Sequence, residues 1–383
     1  MPSSAVAEIN QQTWFERLVS RIPKRDWVVV GWVLGVKLAL LVFAAKSFQI
    51  FQNERVVGLY RTFTIWDRWD SLHYLKLAEA GYSSTDTVKS WFYPLFPWLV
   101  RIVAFCTHDY LISGFIVSGI AGLAAALVFR RLVELDYPAA VALRSVWFFL
   151  IFPTAHFFHI AYTEALFLAM AIGSIYAARI NRWAWAGILG ALAFATRANG
   201  IVLIPTLGVE ALHQLYVRRR WDWRWLWIAA VPLGFGVYLF VNWKVTGDPF
   251  WFLRVRQKLF AMHFAWPWVG IREAILNFHR SPTDAEIVGA QELYFAILSL
   301  GCAIISWIKL RPAYAMWITA NYLLITCISF LESMPRYALT FFPIFMLFGL
   351  LSANRFWRGL LTVASILFLA AFATLFVRGW WAF

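Results

Sequence analysis

The sequence predicts an all-α polytopic membrane protein with about eleven transmembrane helices and two long outer loops carrying amphipathic helices. Three observations predict it. The chain of 383 residues is 62% hydrophobic and only 14% charged, against about 25% charged in soluble chains. Apolar runs of about 20 residues, the length that spans a hydrocarbon core of about 30 Å, recur along its whole length. The segments between them alternate, short and basic on one side and long and chemically mixed on the other, the bias of Lys and Arg toward the cytoplasm.

A head over 1–26 with Arg17, Arg21, Lys24 and Arg25 is expected in the cytoplasm. The first run, 27–46, follows this polar head and has no small-residue cleavage site, so it reads as a permanent span. Residues 47–110 form a first outer loop, including a short apolar run after Phe92-Tyr93-Pro94-Leu95-Phe96-Pro97-Trp98. Further spans are expected at 111–129, 139–155, 160–178, 183–196 and 200–217, with Arg130, Arg131, Arg144, Arg179, Arg182 and Arg218-Arg219-Arg220 in the inner turns. A span at 224–244 leads into the second outer loop, 245–288, and spans at 289–308, 313–331, 338–352 and 358–377 complete a single membrane domain. No repeat, low-complexity tract or soluble domain interrupts it.

The stretch Trp66-Asp67-Arg68-Trp69-Asp70-Ser71-Leu72-His73-Tyr74 sets two carboxylates and a histidine among aromatic rings beside a membrane. If 70–77 is helical, Asp70, His73 and Leu77 share a face, and Asp67, one turn earlier, addresses the same cavity. The alternative is an interfacial helix with an N-terminal Asp and anchoring tryptophans. Other ionisable clusters fall on the same side: His156/His159/Glu164, Arg197/Asn199, Asp248 and Glu332/Arg336. Such groups at a membrane span cost several kcal/mol unless paired or wetted, so one shared outward cavity is expected.

Each has a second reading. Arg197 could snorkel to the headgroups, Glu164 could cap a helix, and Asp248 before Pro249 could be a turn residue. Arg254, Arg256 and Lys258 suit anionic headgroups as well as a substrate. Arg336 after Pro335, at a helix start, is the better phosphate candidate. His156 and His159 lack a third ligand at fixed spacing, and no metal is expected. The net charge of +14 follows the inner turns, so no nucleic-acid partner is expected. Cys106, Cys302 and Cys327 suggest no disulfide framework, and no glycine-rich loop cradles a nucleotide. Carboxylates, arginines and aromatic rings on an outer face fit group transfer from a lipid-linked phosphate, the arginines holding the leaving phosphate and a carboxylate acting as general base.

The chain resembles the PIG-V group of GT-C glycosyltransferases, which comprises the second mannosyltransferases of GPI-anchor synthesis and prokaryotic relatives. The resemblance rests on Trp69-Asp70-Ser71-Leu72-His73-Tyr74 with Ala78-Glu79-Ala80-Gly81-Tyr82, on Phe92-Tyr93-Pro94-Leu95-Phe96-Pro97, and on Ala161-Tyr162-Thr163-Glu164-Ala165-Leu166-Phe167. Thr196-Arg197-Ala198-Asn199-Gly200, Gly247-Asp248-Pro249 with Phe252, and Met334-Pro335-Arg336-Tyr337 complete it. It implies a GT-C-like inverting transferase that moves a sugar, mannose above all, from a polyprenyl-phosphate donor (dolichol phosphate mannose in eukaryotes) to a lipid or glycan acceptor, with no cofactor. Asp70 matches the acidic residue of the family's first outer loop and is the expected general base; Asp67 is a second carboxylate beside it. His73, Glu164, Arg197, Asn199, Asp248, Arg254, Arg256, Arg336 and Tyr337 are the expected substrate-binding residues. Likeness to the prokaryotic branch implies a bacterial inner (plasma) membrane with the site facing outward. The rivals are a transferase of another lipid-linked sugar and a lipid-linked saccharide flippase or transporter.

Overall fold

The computed structural model describes residues 23–260, 263–278 and 289–383. Among these residues it is helical throughout, with a single isolated antiparallel bridge, Phe264–Ile328. The helices run α1 Lys24–Gln52, α2 Leu59–Thr64, α3 Asp70–Ala80, α4 Leu95–Thr107, α5 Tyr110–Glu134 and α6 Ala139–Ile151. They continue with α7 Glu164–Arg179, α8 Trp183–Phe194, α9 Leu203–Arg218, α10 Pro232–Thr246, α11 Trp251–Phe260 and α12 Pro267–Leu276. The last five are α13 Ala290–Lys309, α14 Pro312–Thr326, α15 Met334–Leu339, α16 Pro343–Leu351 and α17 Arg355–Val377. Every expected span falls on one of these helices. Counting the helical turns that extend α9 and α10 at their N-terminal ends, six are long and apolar enough to cross a membrane among the described residues; α4, α6 and α8 are shorter apolar helices. The head before residue 23 and Arg280 lie outside the described residues.

Two kinds of surface explain how the helices sort. Leu34, Leu38 and Val42 on α1, Ile297, Ile304 and Ile308 on α13, and Val363 and Leu367 on α17 are exposed. Spaced four or seven apart, they form apolar outward stripes that a bilayer covers. At the opposite extreme α7 is buried along nearly its whole length, from Glu164 to Ala178. It packs against α5, α8 and α9 and forms the axis of the bundle. Small residues let the backbones close in. A Cβ on Gly114 of α5 would stand 2.7 Å from that of Ala161, and one on Gly200 would stand 2.3 Å from Cα of Phe194. Gly200 therefore permits the turn that carries Arg197 and Asn199 to lie flat on α8.

Helix ends are fixed where the chemistry will sit. The Asp109 carboxylate accepts from the Ile112 amide at 2.7 Å and caps α5. The Arg101 guanidinium donates to the carbonyls of Ala78 (2.5 Å) and Glu79 (3.0 Å), closing the C-terminal end of α3. Buried Glu292 at the start of α13 accepts the amide of Met334 at 2.7 Å, and Thr154 donates to the carbonyl of Pro335 at 2.9 Å. Together they hold the turn that presents Arg336.

Candidate active site

Asp70 is the first residue of α3, where the exposed amides of a helix N-terminus favour an acid. The residue before it, Trp69, has φ 55° and ψ −122°, a conformation costing a bulky residue about 1–3 kcal/mol and kept only where the surroundings enforce it. Opposite Asp70 stands Arg336 of α15. Its Nη1 donates to Asp70 Oδ2 at 2.6 Å, and its Nε donates to Glu164 Oε1. Arg197 reaches the same Glu164 oxygen and donates to Thr163 Oγ1 at 2.9 Å. Two carboxylates and two guanidiniums thus form one chain, Asp70–Arg336–Glu164–Arg197, with balanced charge. The Arg336 guanidinium lies over the rings of Tyr162 (4.7 Å) and Phe157 (5.1 Å), and Arg197 lies over Tyr337 (5.5 Å).

A cavity of about 260 Å³ opens on this chain. Asp70, Arg197, Asn199, Glu332, Ser333, Arg336 and Tyr337 supply its polar wall. Trp91, Phe92, Tyr93, Tyr238, Phe252 and Trp381 supply its aromatic one. Tyr93 and Tyr238 are stacked at 3.9 Å, and the Tyr238 hydroxyl donates to the carbonyl of Ser90 at 2.9 Å. Asn199 donates to Asn321 Oδ1 at 2.9 Å, so α14 fixes its amide. Tyr74, also on the wall, has its hydroxyl pushed up to about 12 by burial, first, and by the Asp70 charge, and stays a neutral phenol.

The expected residues divide. Asp70, Arg197, Asn199, Arg336 and Tyr337 converge on the cavity. Glu164 stands behind it, fully buried in the first turn of α7, where it holds both arginines. Arg197, with its side chain 10% exposed and bonded inward, does not snorkel. Asp67 does not share the wall with Asp70. The helix starts at Asp70, and the turn through Trp69 leaves Asp67 outside it, where its Oδ1 accepts the Ser71 hydroxyl at 2.6 Å. Burial raises the Asp67 carboxyl above its ordinary range, only partly offset by Ser71. His73 is one ring removed, stacked on the cavity residue Phe92 at 5.0 Å.

Asp248 behaves as the turn residue of its alternative reading. Its Oδ1 accepts the Phe250 amide at 2.9 Å, and it pairs with the mostly exposed Arg254 at 3.0 Å. Neither lines the cavity. The side chain of Arg256 lies outside the described residues. His156 and His159 are buried, His156 packed beside Trp66, Phe157 and Phe376, and no group of three possible metal ligands occurs among the described residues. Trp91, Tyr238 and Trp381 were not expected on the wall. Trp91 directly precedes the Phe92-Tyr93-Pro94 motif, Trp381 follows the last apolar run, and Tyr238 lies inside an apolar run.

Sequence comparison with curated proteins gave no match. Among solved structures, the chain is similar to the oligosaccharyltransferase of Archaeoglobus fulgidus in its apo form, with 10% identity, a TM-score of 0.45, and 97% of this chain aligned to 57% of that one. The same enzyme tethered to an acceptor peptide gives 10% identity and a TM-score of 0.43, over 91% of this chain and 55% of that one. The chain therefore spans little more than half the length of these structural relatives. Residues 43–222, which contain Asp70, Glu164, Arg197 and Asn199, match the family model described as Mannosyltransferase (PIG-V). Over that span the chain is similar to the PIG-V mannosyltransferases, a glycosyltransferase family, as its motifs indicated.

Proposed function

We propose that the protein is an inverting glycosyltransferase that moves mannose from a polyprenyl-phosphate donor to a hydroxyl of a lipid or glycan acceptor, with Asp70 as general base. The observation that carries this reading is the Asp70–Arg336 pair on the wall of an aromatic-lined cavity: one group to take a proton, one to take a phosphate. The donor phosphate competes with Asp70 for Arg336, the guanidinium being suited to forked binding of phosphate oxygens. Asp70, released from that bond, accepts the proton of the acceptor hydroxyl. The hydroxyl oxygen then bonds to C1 of the sugar as the C1–O bond to phosphate breaks, the bonding pair leaving with polyprenyl phosphate. One displacement inverts C1. Arg197 shares the phosphate charge, Glu164 keeps both arginines in place, and Asn199 and Tyr337 bind sugar hydroxyls. Basic side chains suffice for the leaving group, so no step is routed through a metal or cofactor.

The test is transfer of radiolabelled mannose from polyprenyl phosphate to a lipid and glycan extract by the purified protein in nanodiscs. Label should appear in a new acid-stable product and be lost with Asp70→Asn. Donor that crosses the bilayer of a proteoliposome without a new glycosidic bond would replace the transferase by a flippase. Transfer of a different lipid-linked sugar alone would move the donor assignment and leave the mechanism standing.

A further inference from the structure

The segment after α17 carries none of the family motifs, yet it closes one side of the cavity. Gly379, at φ +83°, turns the chain, and Ala382 and Phe383 are fully buried. The ring of Phe383 packs on Phe157 (5.3 Å) and Phe376 (5.8 Å), and the Arg336 guanidinium lies over it at 5.5 Å. Trp381 stacks on Phe383 at 4.9 Å and 23° and meets Trp69 edge-on at 4.9 Å and 75°. It is therefore wedged between the ring beneath Arg336 and the residue that precedes Asp70.

Trp381 lines the cavity, but its indole nitrogen is buried without a partner. What it offers a ligand is the carbon surface of the ring. A carbon-surfaced indole beside a carboxylate and a guanidinium matches a pyranose, whose C–H faces suit an aromatic ring and whose hydroxyl edges suit the polar wall. A prenyl tail would match the indole and clash with the charges.

We infer that Trp381 is a specificity-determining residue that packs against the ring of the transferred sugar. This rests on the glycosyltransferase reading and places the sugar within it. The experiment measures affinity of the purified protein in nanodiscs for polyprenyl-phosphate mannose and for polyprenyl phosphate alone, with KM and kcat for transfer. Trp381→Ala should weaken binding of the mannose-bearing lipid about tenfold while leaving the bare lipid phosphate within about twofold, the loss of one well-made aromatic contact. Trp381→Phe should restore most of the loss, and Phe383→Ala, which removes the ring behind Trp381, should fall between. Trp381→Ala matching wild type with both lipids, or losing both equally, would overturn the inference while the transferase reading stood. Wild-type protein that failed to distinguish the two lipids would overturn both.

Discussion

Each end of the helix bundle holds a network of two carboxylates and two arginines, and the two networks are built differently. At the end opposite Asp70, Arg179 forks onto Asp136 at 2.6 and 2.8 Å, and Tyr314 donates to the same carboxylate at 2.8 Å. Arg311 forks onto Glu210 at 2.8 and 2.9 Å, and Gln214 adds a third donor at 2.9 Å. Every carboxylate oxygen there is satisfied. At the Asp70 end, both arginines crowd onto one oxygen of Glu164, whose other oxygen is buried and unbonded among the described residues. Asp70, with its side chain 28% exposed, faces a cavity. Charge balance is the same and burial is comparable; saturation is not. A saturated network fixes the contacts between α5, α7, α9 and α14, whereas an unsaturated one beside a cavity has bonds to give a substrate.

The sharpest break between the two comes from removing one carboxylate at each end. Asp70→Asn should reduce transfer by about 10²–10⁴-fold, the usual worth of a general base, with little change in the melting temperature. Glu210→Gln should do the reverse. It leaves Arg179 and Arg311 short of their counter-charge in a buried site, which typically costs about 3–5 kcal/mol. Turnover per folded molecule should stay near wild type, with melting in detergent separating the two effects. Equal loss of stability in both variants would dissolve the distinction.

Glu164→Gln tests the overlap, because Glu164 belongs to the Asp70 end but is as buried as Glu210. It should lose both activity and stability, the donor KM rising more than kcat falls, since Arg197 and Arg336 would no longer be held by one anion. A pure stability loss with unchanged KM would move Glu164 to the structural class.

What the sequence made legible follows the same line. The apolar runs could be read because hydrocarbon thickness sets the length of a span; all eleven expected segments fall on helices, and six of these are long and apolar enough to cross a membrane among the described residues. Arg197 and Arg336 could be read because each is an ionisable group at an end of an apolar run, where it needs a reason, and Asp70 because it stands among aromatic rings in the first outer loop, in a stretch that resembles a family motif. The opposite network could not. Asp136, Arg179, Glu210 and Arg311 look like ordinary charges near short basic turns, and their pairing joins residues 43 and 101 positions apart. The expectation that the chemical-looking clusters sit at one end therefore holds for the open site and misses a second buried network. Asp67 reads with Asp70 because it lies one helical turn earlier, and spacing alone does not show that Trp69, at φ 55°, turns the chain just before the helix starts at Asp70.

Arg336→Lys should have a smaller effect than the changes at Asp70, Glu210 and Glu164. It keeps the charge but replaces a planar fork that reaches Asp70 and Glu164 together with a single ammonium. A rise in donor KM of about tenfold with a modest fall in kcat is expected, together with weaker competition by polyprenyl phosphate. An unchanged KM would take the phosphate away from Arg336.

The mildest change separates the neighbouring carboxylates. Burial raises the Asp67 carboxyl above its unfolded value, so folding favours its protonated form. A raised folded pKa contributes stability that is fully present below the unfolded value, about 3.9 for Asp, and is lost as pH rises through the folded value. Asp67→Asn mimics the protonated form. It should melt slightly higher than wild type near neutral pH, with the difference vanishing on acidification. Transfer should persist, because Asp67 bonds Ser71 and lies off the cavity wall. A transfer loss approaching that of Asp70→Asn would return Asp67 to the chemistry and require a different local geometry around Trp69.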